Sequence, residues 1–293
     1  ETGANAREAG REEAEMSHNL TQREDGTAEL AYVGGSPWHR LGKYLGDNLV
    51  TSARMIAEAG VDWTVEPRDL FYRKLVLRDA AGTLVPDGTP DGVPGYDEVK
   101  VESHVVNVRA DSQEPLGVVG KDYKAIQNRD IFRLMDEIVG QASAMYDVAG
   151  SLRGGKRVWA LAKLPQELVV VGEDVLRQYL LFVNDHDGGG SAIGGFTITR
   201  AVCENTVNAA LGQWERGIAN TIRIRHVGDV KAKAEEARRI LNISLRYFEV
   251  AGRAFRAMSA RDISIAMLDE YYKKVLPLPA EPARLADLSE LEQ

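Results

Sequence analysis

The chain has 293 residues, a net charge of −8 and a hydrophobic content of 44%. These values are ordinary for a water-soluble globular protein and allow one large domain or two modest ones. No run of about eighteen apolar residues exists, which argues against a membrane-spanning helix. No cationic segment followed by an apolar run opens the chain, so we expect no signal peptide. A single cysteine excludes an internal disulfide and fits a reducing compartment.

The two ends of the chain differ in composition from its middle. Residues 1–15 contain no large apolar residue, and Met16 resembles a native start, so we interpret 1–15 as a tag remnant or an upstream extension. The polar composition of 1–29 cannot offset the entropy of ordering, which predicts a flexible N-terminal segment. A single α+β domain is predicted at 30–276, followed by an acidic tail at 277–293.

Hydrophobic periodicity and turn residues predict the elements of the first half of the chain. Thr51 or Ser52 can cap the first helix, and Gly60 can end it. The insertion that follows the first strands holds several prolines and glycines and is typical of a hairpin loop or a mobile flap. In chain order we predict a helix at 50–59, strands at 63–77, the turn-rich insertion at 79–95, strands at 99–108 and 116–119, and a helix from Asn128 or Asp130 through Val139.

The second half begins with hairpins and ends with helices. We predict a hairpin of 146–152 and 157–164, a second hairpin of 179–184 and 196–202, a helix at 203–211, an edge strand at 221–225, a long helix from Asp229, and a helix at 261–275. Strands joined by hairpins and followed by helices indicate the α+β class. The predicted architecture is an antiparallel sheet built from hairpins, with a long C-terminal helix and shorter helices packed on it.

Positive charge concentrates in one block of this acidic chain. Residues 193–261 hold twelve Arg/Lys against six Asp/Glu, a net charge of +6, which leaves −14 for the rest. Such a block is typical of an anion-binding face, or of an ordinary solvated helix face. Arg223 and Arg225 are two apart on the predicted edge strand, so they share a face. The candidate nucleic-acid-binding residues are Arg200, Arg216, Arg223, Arg225, Lys231 and Lys233.

A polar cluster lies at the predicted tip of the second hairpin. Asp185, His186 and Asp187 could bind a metal, but adjacent residues of an extended segment point alternately to opposite faces. Turn chemistry also explains two aspartates beside glycines. The glycine-rich run at 188–195 lacks the Lys and Ser/Thr of a phosphate loop and enters a strand. We therefore interpret the segment as a hairpin tip and predict no metal and no cofactor.

The next helix contains further candidate site residues. Cys203 lies at its predicted N-terminus, where the pKa of a thiol falls, and His186 and His226 are candidate bases. The alternative is a small buried apolar residue. Asn205 and Asn208 share a helix face and either brace the sheet or bind the polar edge of a ligand. We name no catalytic residue. The possible ligand or site residues are Asp185, His186, Asp187, Cys203, Asn205, Asn208 and His226.

Five segments carry a family resemblance: 37–42 (PWHRLG), 119–128 (VGKDYKAIQN), 154–165 (GGKRVWALAKLP), 180–211 and 222–238. In this order they resemble the phage/plasmid-like protein family, a conserved domain of unknown function found in bacteriophages, plasmids and actinobacteria. The resemblance implies a mobile-element protein in the bacterial cytoplasm. An antiparallel sheet followed by a basic helix is also similar to the layout of phage single-strand annealing proteins, although fold alone does not fix function.

These observations lead to one functional hypothesis and two alternatives. We expect a phage- or plasmid-type nucleic-acid-binding protein that favours single-stranded DNA in recombination or replication and forms a homo-oligomer, without a membrane partner. An annealing role needs no catalytic chemistry, so we favour a protein that is not an enzyme. The alternatives are a metal-dependent nuclease or thiol enzyme that uses the 185–226 cluster, and a virion structural or assembly protein.

Overall fold

The computed structural model describes residues 18–48, 50–86, 88–142, 145–190, 192–215, 221–224, 235, 239 and 248–275. The helices are α1 (Ser52–Ala59), α2 (Asn128–Ala142), α3 (Glu204–Glu215) and α4 (Ile265–Val275), and residues 248–259 are also helical. The strands are β1 (Leu30–Tyr32), β2 (Lys43–Tyr44), β3 (Val65–Arg78), β4 (Leu84–Val85), β5 (Val93–Arg109), β6 (Pro115–Gly120), β7 (Met145–Leu152), β8 (Arg157–Val171), β9 (Asp174–Asp185), β10 (Ala192–Thr197) and β11 (Thr221–Ile224). None of the described helices is long and apolar enough to span a bilayer.

The larger sheet has seven strands in the order β11-β10-β9-β8-β7-β1-β2. Its neighbours are antiparallel except β1 and β2, which run parallel, with Ala31 opposite Lys43. Each face of this sheet has its own apolar core. One face packs on α1 and α2, through Met55 and Met135 among others, and the opposite face packs on α3, through Val207 and Trp214.

Two glycines of β10 let large rings pack on both faces of this sheet. A Cβ atom on Gly194 would lie 2.2 Å from Cε1 of Phe182, and one on Gly195 would lie 2.8 Å from the indole of Trp214. Side chains of successive strand residues point to opposite faces, so the two glycines make room on opposite sides. The second half of the glycine-rich run therefore lies on β10, and its glycines allow the rings to pack against the strand.

The smaller sheet has four antiparallel strands in the order β4-β3-β5-β6. Its two long strands form a ribbon, with Val65 opposite Arg109 at one end and Arg78 opposite Val93 at the other. Val65 and Arg109 are buried against the body, whereas most residues of the outer half are exposed. The ribbon therefore projects from the core. Gln127 covers part of the β3 edge, because its amide both accepts from the N–H of Val65 and donates to its carbonyl.

The α+β class is confirmed, but the predicted architecture is wrong. The strands form two sheets instead of one, and the larger sheet is mixed because β2 runs parallel to β1. Alternation identifies a strand but not its partner, so the sequence did not separate the sheets. The long C-terminal helix is not shown: its predicted start at Asp229 lies outside the described residues, and α4 has eleven residues, none of them buried.

Predictions based on local signals are confirmed. Helix α1 begins after Thr51, whose hydroxyl accepts from the N–H of Arg54, and ends at Gly60 in the left-handed conformation. The turn at 153–156 joins β7 to β8, with positive φ at Arg153 and at both glycines. The strand at Thr221–Ile224 forms an edge of the larger sheet, as predicted. These features depend on a few neighbouring residues, which is why sequence patterns predict them.

Candidate anion-binding cleft

A cleft of about 430 Å³ opens on the larger sheet beside the turn that follows β1. Strand register positions its floor, because Met145 on β7 pairs with Lys163 on β8, which in turn pairs with Tyr179 on β9. Paired residues share a face of the sheet, so these side chains line one surface. The cleft is lined by Val33, Gly34, Gly35, Asp47, Met145, Tyr146, Asp147, Lys163, Arg177, Tyr179 and Arg200.

Arg200 closes one side of the cleft through a bidentate ion pair with Asp147. The Nε atom of Arg200 lies 2.8 Å from Oδ2 of Asp147, and a second guanidinium nitrogen lies 3.1 Å from Oδ1. The same guanidinium donates to the carbonyl oxygens of Val33 and Gly35, at 2.9 and 2.6 Å. Asp147 is the extra residue where the β7–β8 register shifts, and such a bulge redirects a side chain. Arg200 therefore ties the loop after β1 to the sheet.

Lys163 and Arg177 supply the other two cations of the cleft. Both bind Glu167 on the same β8–β9 hairpin, at 2.6 and 3.0 Å. The two cations, Lys163 first, lower the pKa of Glu167, so this carboxylate stays ionised. The side chains of Lys163 and Arg177 remain 26% and 46% exposed, so a ligand in the cleft can reach both.

Two exposed aromatic residues lie on the chain segments that border this cationic cleft. Trp38 is 62% exposed and follows Gly35 by three residues, and Tyr44 is 50% exposed and precedes Asp47 by three. The N–H of Gly34 donates to the carbonyl of Gly46, which holds these two segments side by side. A hydrogen bond with Asp47 is the main cause that raises the pKa of Tyr44. Exposed rings beside cations are suited to stacking on flat, anionic ligands.

Tyr146 and Asp147, two other polar residues of the cleft, are occupied by structural bonds. The hydroxyl of Tyr146 donates to Oδ1 of Asp136 at 2.9 Å, and burial raises the pKa of this phenol. Burial also raises the pKa of Tyr179. Asp147 is held by Arg200, as described above. The cleft therefore offers the exposed ends of Lys163 and Arg177 for binding, and its acidic groups are already engaged.

The sequence-predicted residues Asp185 and Asn208 meet at a different place, through Arg157. The guanidinium of Arg157 binds Asp185 in a bidentate pair at 2.5 and 3.0 Å and donates to the side-chain oxygen of Asn208 at 3.1 Å. The ion pair with Asp185 raises the pKa of Arg157 against the opposing effect of burial. Asp185 and Asn208 thus brace α3 against the sheet. Asn205 lies exposed in the first turn of α3.

His186 lies at the joint between the two sheets and is fully buried. Its Nε2 atom lies 2.8 Å from Oδ1 of Asn128, while its backbone oxygen accepts from the side chain of Asn107 at 3.0 Å. Asn128 uses its amide nitrogen to donate to the carbonyl of Val61, so its oxygen faces the imidazole. Nε2 therefore carries the proton, and Nδ1 lacks a partner among the described residues. Burial is the largest cause that lowers the pKa of His186, to about 4.

Asp187 completes the joint through its backbone. A Cβ atom on Gly117 of β6 would lie 2.4 Å from the backbone oxygen of Asp187, so only glycine allows this close approach. The carboxylate of Asp187 accepts from the N–H of Gly189 at 2.8 Å, which forms the predicted turn. Within the described part of the chain, no three His, Cys, Asp or Glu side chains are placed to hold a metal ion.

Cys203 is buried immediately before the first residue of α3. The hydroxyl of Thr206 lies 3.5 Å from its Sγ atom and accepts hydrogen bonds from the N–H groups of Val202 and Cys203, at 2.9 and 3.0 Å. This arrangement caps the helix. It places the thiol in the apolar core with Val207, where no nucleophile can reach a substrate from solvent.

Of the candidate basic residues, only Arg200 and Arg223 lie within the described part of the chain, and they lie apart. Arg200 follows β10, whereas the exposed Arg223 pairs with Ile193 near the other end of that strand. Ile193 and Thr197 are four residues apart, or about 13 Å along a strand. Arg200 and Arg223 therefore do not share one spot. The other predicted residues, Arg216, Arg225, His226, Lys231 and Lys233, lie outside the described residues.

Sequence reasoning missed Lys163 and Arg177 as members of one cleft. Lys163 lies on the predicted strand at 157–164, whereas Arg177 precedes the predicted strand at 179–184, and single cations at such places are also typical of solvated sheet positions. Only the register of the β8–β9 hairpin brings them to the same surface. The signal that could have found them is the pairing of β8 with β9. The sequence analysis pairs 157–164 with 146–152 and 179–184 with 196–202, and does not pair β8 with β9.

A family match covers the second part of the chain. Residues 115–291, about 60% of the sequence, match the model of a domain of unknown function, DUF932. The chain belongs to the DUF932 family. No curated protein and no solved structure matches it significantly. The DUF932 match includes the three cleft cations and begins at β6, after the two long strands of the smaller sheet.

Proposed function

We propose that this DUF932 protein is a phage- or plasmid-type nucleic-acid-binding protein that holds single-stranded DNA at the cleft. The observation that carries the proposal is the pair of exposed cations Lys163 and Arg177 in one cleft. The chain segments that border this cleft also carry the exposed rings of Trp38 and Tyr44, each within three residues of a lining residue. Cations follow the phosphate backbone, and rings stack on unpaired bases. A single strand offers both groups at once, whereas a duplex hides its base faces.

The surrounding structure supports binding more than catalysis. Arg200 is bonded to Asp147 and to two carbonyl groups, so its role is to fix the loop that carries Trp38. Glu167 lies between Lys163 and Arg177 and keeps them extended along the hairpin. A phosphate group approaching the cleft would meet both cations at their exposed ends. The basic block at 193–261 adds favourable long-range charge.

The proposal is tested by measuring the affinity for single-stranded DNA over a salt series. Each contacted phosphate contributes about 0.7 to the slope of log affinity against log salt. Replacing Lys163→Gln and Arg177→Gln together should therefore flatten the slope by about 1.4. The matched control is Lys121→Gln with Arg68→Gln, two exposed cations outside the cleft, the first just after β6 and the second on β3. Absence of binding at low salt, or equal slopes for both double variants, would contradict the proposal.

The aromatic rings give a second, independent readout. Trp38→Ala and Tyr44→Ala should each weaken single-strand binding by about 1 kcal/mol or more, because a stacked base is lost. Trp38→Phe keeps a ring and is the matched control. The same variants should change duplex binding little. Equal losses for single and double strands would show that the rings do not stack on bases.

A further inference from the structure

The outer half of the β3–β5 ribbon exposes an apolar surface. Leu75 and Tyr96 are directly paired across the two strands and are 59% and 66% exposed. Phe71 lies on the same face, four residues before Leu75, and is 51% exposed. The charged pair Arg73 and Glu98 lies between Phe71 and Leu75 on this face, so exposed apolar and charged positions alternate along the ribbon.

The same half of β5 is also an open sheet edge. Strand β6 pairs with β5 only from His104 to Val108, and β3 occupies the other side. Along residues 93–102, no described strand pairs with the outer edge of β5. The backbone donors and acceptors on this edge are therefore available to another strand.

We infer that this edge pairs with the same edge of a second copy of the chain, antiparallel and centred on Val99. A two-fold axis normal to the sheet places Val99 opposite its own copy. It then places Glu98 of each copy opposite Lys100 of the other, because the residue numbers on the two strands run in opposite directions. Opposite charges in cross-strand pairs stabilise a sheet, and this register contains two such pairs.

Most other registers near the middle of this edge are disfavoured by the same residues. Pairing centred on Asp97, Glu98, Lys100 or Glu102 would place like charges directly opposite each other, which destabilises a strand pair. Pairing centred on Val101 would extend into Ser103 and His104, where β6 already occupies the edge. Pairing centred on Val99 uses 96–102, which lies within the open segment.

Charged residues commonly protect an open edge against association. Here they alternate in sign along one face, so they oppose most registers and favour one. In-chain ion pairs hold both charges in place: Lys100 lies 2.9 Å from Asp69, and Glu98 lies 4.0 Å from Arg73. The paired ribbons would form one four-stranded sheet, and the Leu75 and Tyr96 side chains of both copies would lie on one face of it.

The test measures the mass of the full chain by sedimentation over a concentration series. The wild type should form a dimer as concentration rises. In Glu98→Lys, positions 98 and 100 of each cross-strand pair are both positive, and in Lys100→Glu they are both negative. Each variant should therefore remain monomeric. An equimolar mixture of the two variants should restore the dimer, because every cross-strand pair then joins opposite charges.

Several results would overturn the inference. A wild-type chain that stays monomeric, or a dimer that persists in both single variants, would exclude this interface; persistence would point instead to another surface such as the exposed helix α4. A mixture that stays monomeric would exclude the register centred on Val99. Far-ultraviolet circular dichroism of each variant checks that the fold is intact. The inference does not depend on nucleic-acid binding, so it is measured without DNA.

Discussion

The Nε2 atom of His186 lies 2.8 Å from Oδ1 of Asn128, and this bond connects the end of β9 to the start of α2. The imidazole also packs edge-on against Trp63, with ring centroids 5.4 Å apart. Arg109 lies on the same indole, with its guanidinium carbon 4.3 Å from the ring centroid. The neutral histidine therefore lies in a closed layer between the two sheets, and a second proton on it would have no acceptor.

Stability should fall in mild acid because of His186. Its pKa is about 4 in the folded protein and about 6.5 when unfolded, so the unfolded chain binds the proton more tightly. The stabilisation is complete above about pH 6.5 and is lost as the pH falls towards 4, on the order of 3 kcal/mol in all. Urea unfolding between pH 7 and pH 4 measures this. His186→Asn should flatten the dependence, and an unchanged pH profile in that variant would contradict the assignment.

Gly194→Ala should destabilise the larger sheet. The added Cβ would lie 2.2 Å from the ring of Phe182, which is fully buried and has no space to retreat. Overpacking of this kind costs about 1–3 kcal/mol. Thermal unfolding measures the loss. Gly120→Ala is the matched control, since a Cβ there meets nothing within 4 Å, and equal effects of the two variants would refute the packing argument.

Arg200→Lys should loosen the loop after β1 although the charge is kept. Lysine cannot reproduce the bidentate bond to Asp147 or the bonds to Val33 and Gly35. We expect a loss of about 2 kcal/mol in the free energy of unfolding, together with faster hydrogen exchange in the loop. Arg223→Lys, at an exposed strand position, is the control and should leave the free energy of unfolding unchanged. Equal stability of the two variants would show that the bonds of Arg200 do not hold the loop after β1 on the sheet.

Cys203 should resist thiol reagents in the folded protein. Its side chain is buried in the core beside α3, so labelling requires opening of that region. A chromogenic disulfide should therefore react slowly in buffer and at once in denaturant. Rapid reaction under native conditions would revive the thiol-enzyme alternative. Cys203→Ala should abolish the signal in both conditions and serves as the blank.

Local features of the fold could be predicted from the sequence. The cap at Thr51, the left-handed Gly60 and the two-glycine turn at 153–156 depend on a few neighbouring residues. The hairpin tip at Asp187 follows from the same turn chemistry. These elements were found because their signals are contained within one turn of helix or one tight turn of chain.

The candidate cleft could not be predicted in the same way. Asp147 faces Arg200 only because a bulge interrupts the β7–β8 register, and no residue pattern marks that position. The parallel pairing of β1 with β2 depends on the course of a ten-residue connection with positive φ at Gly34, Arg40 and Gly42. Contacts between residues far apart in sequence are decided by packing, which a single sequence does not encode locally.

The pairing of β6 with β5 and of β7 with β1 has a consequence for how the protein can be divided. The DUF932 match begins at Pro115, yet β6 has only β5 as a strand partner among the described elements, and β7 needs β1 beside it. A fragment cut at the match boundary would expose Leu116, which is 2% exposed in the full chain, and would leave one side of β7 open. We therefore expect the unit that unfolds cooperatively to be larger than the segment matched by the family, and expression of the matched segment alone should yield an unstable protein.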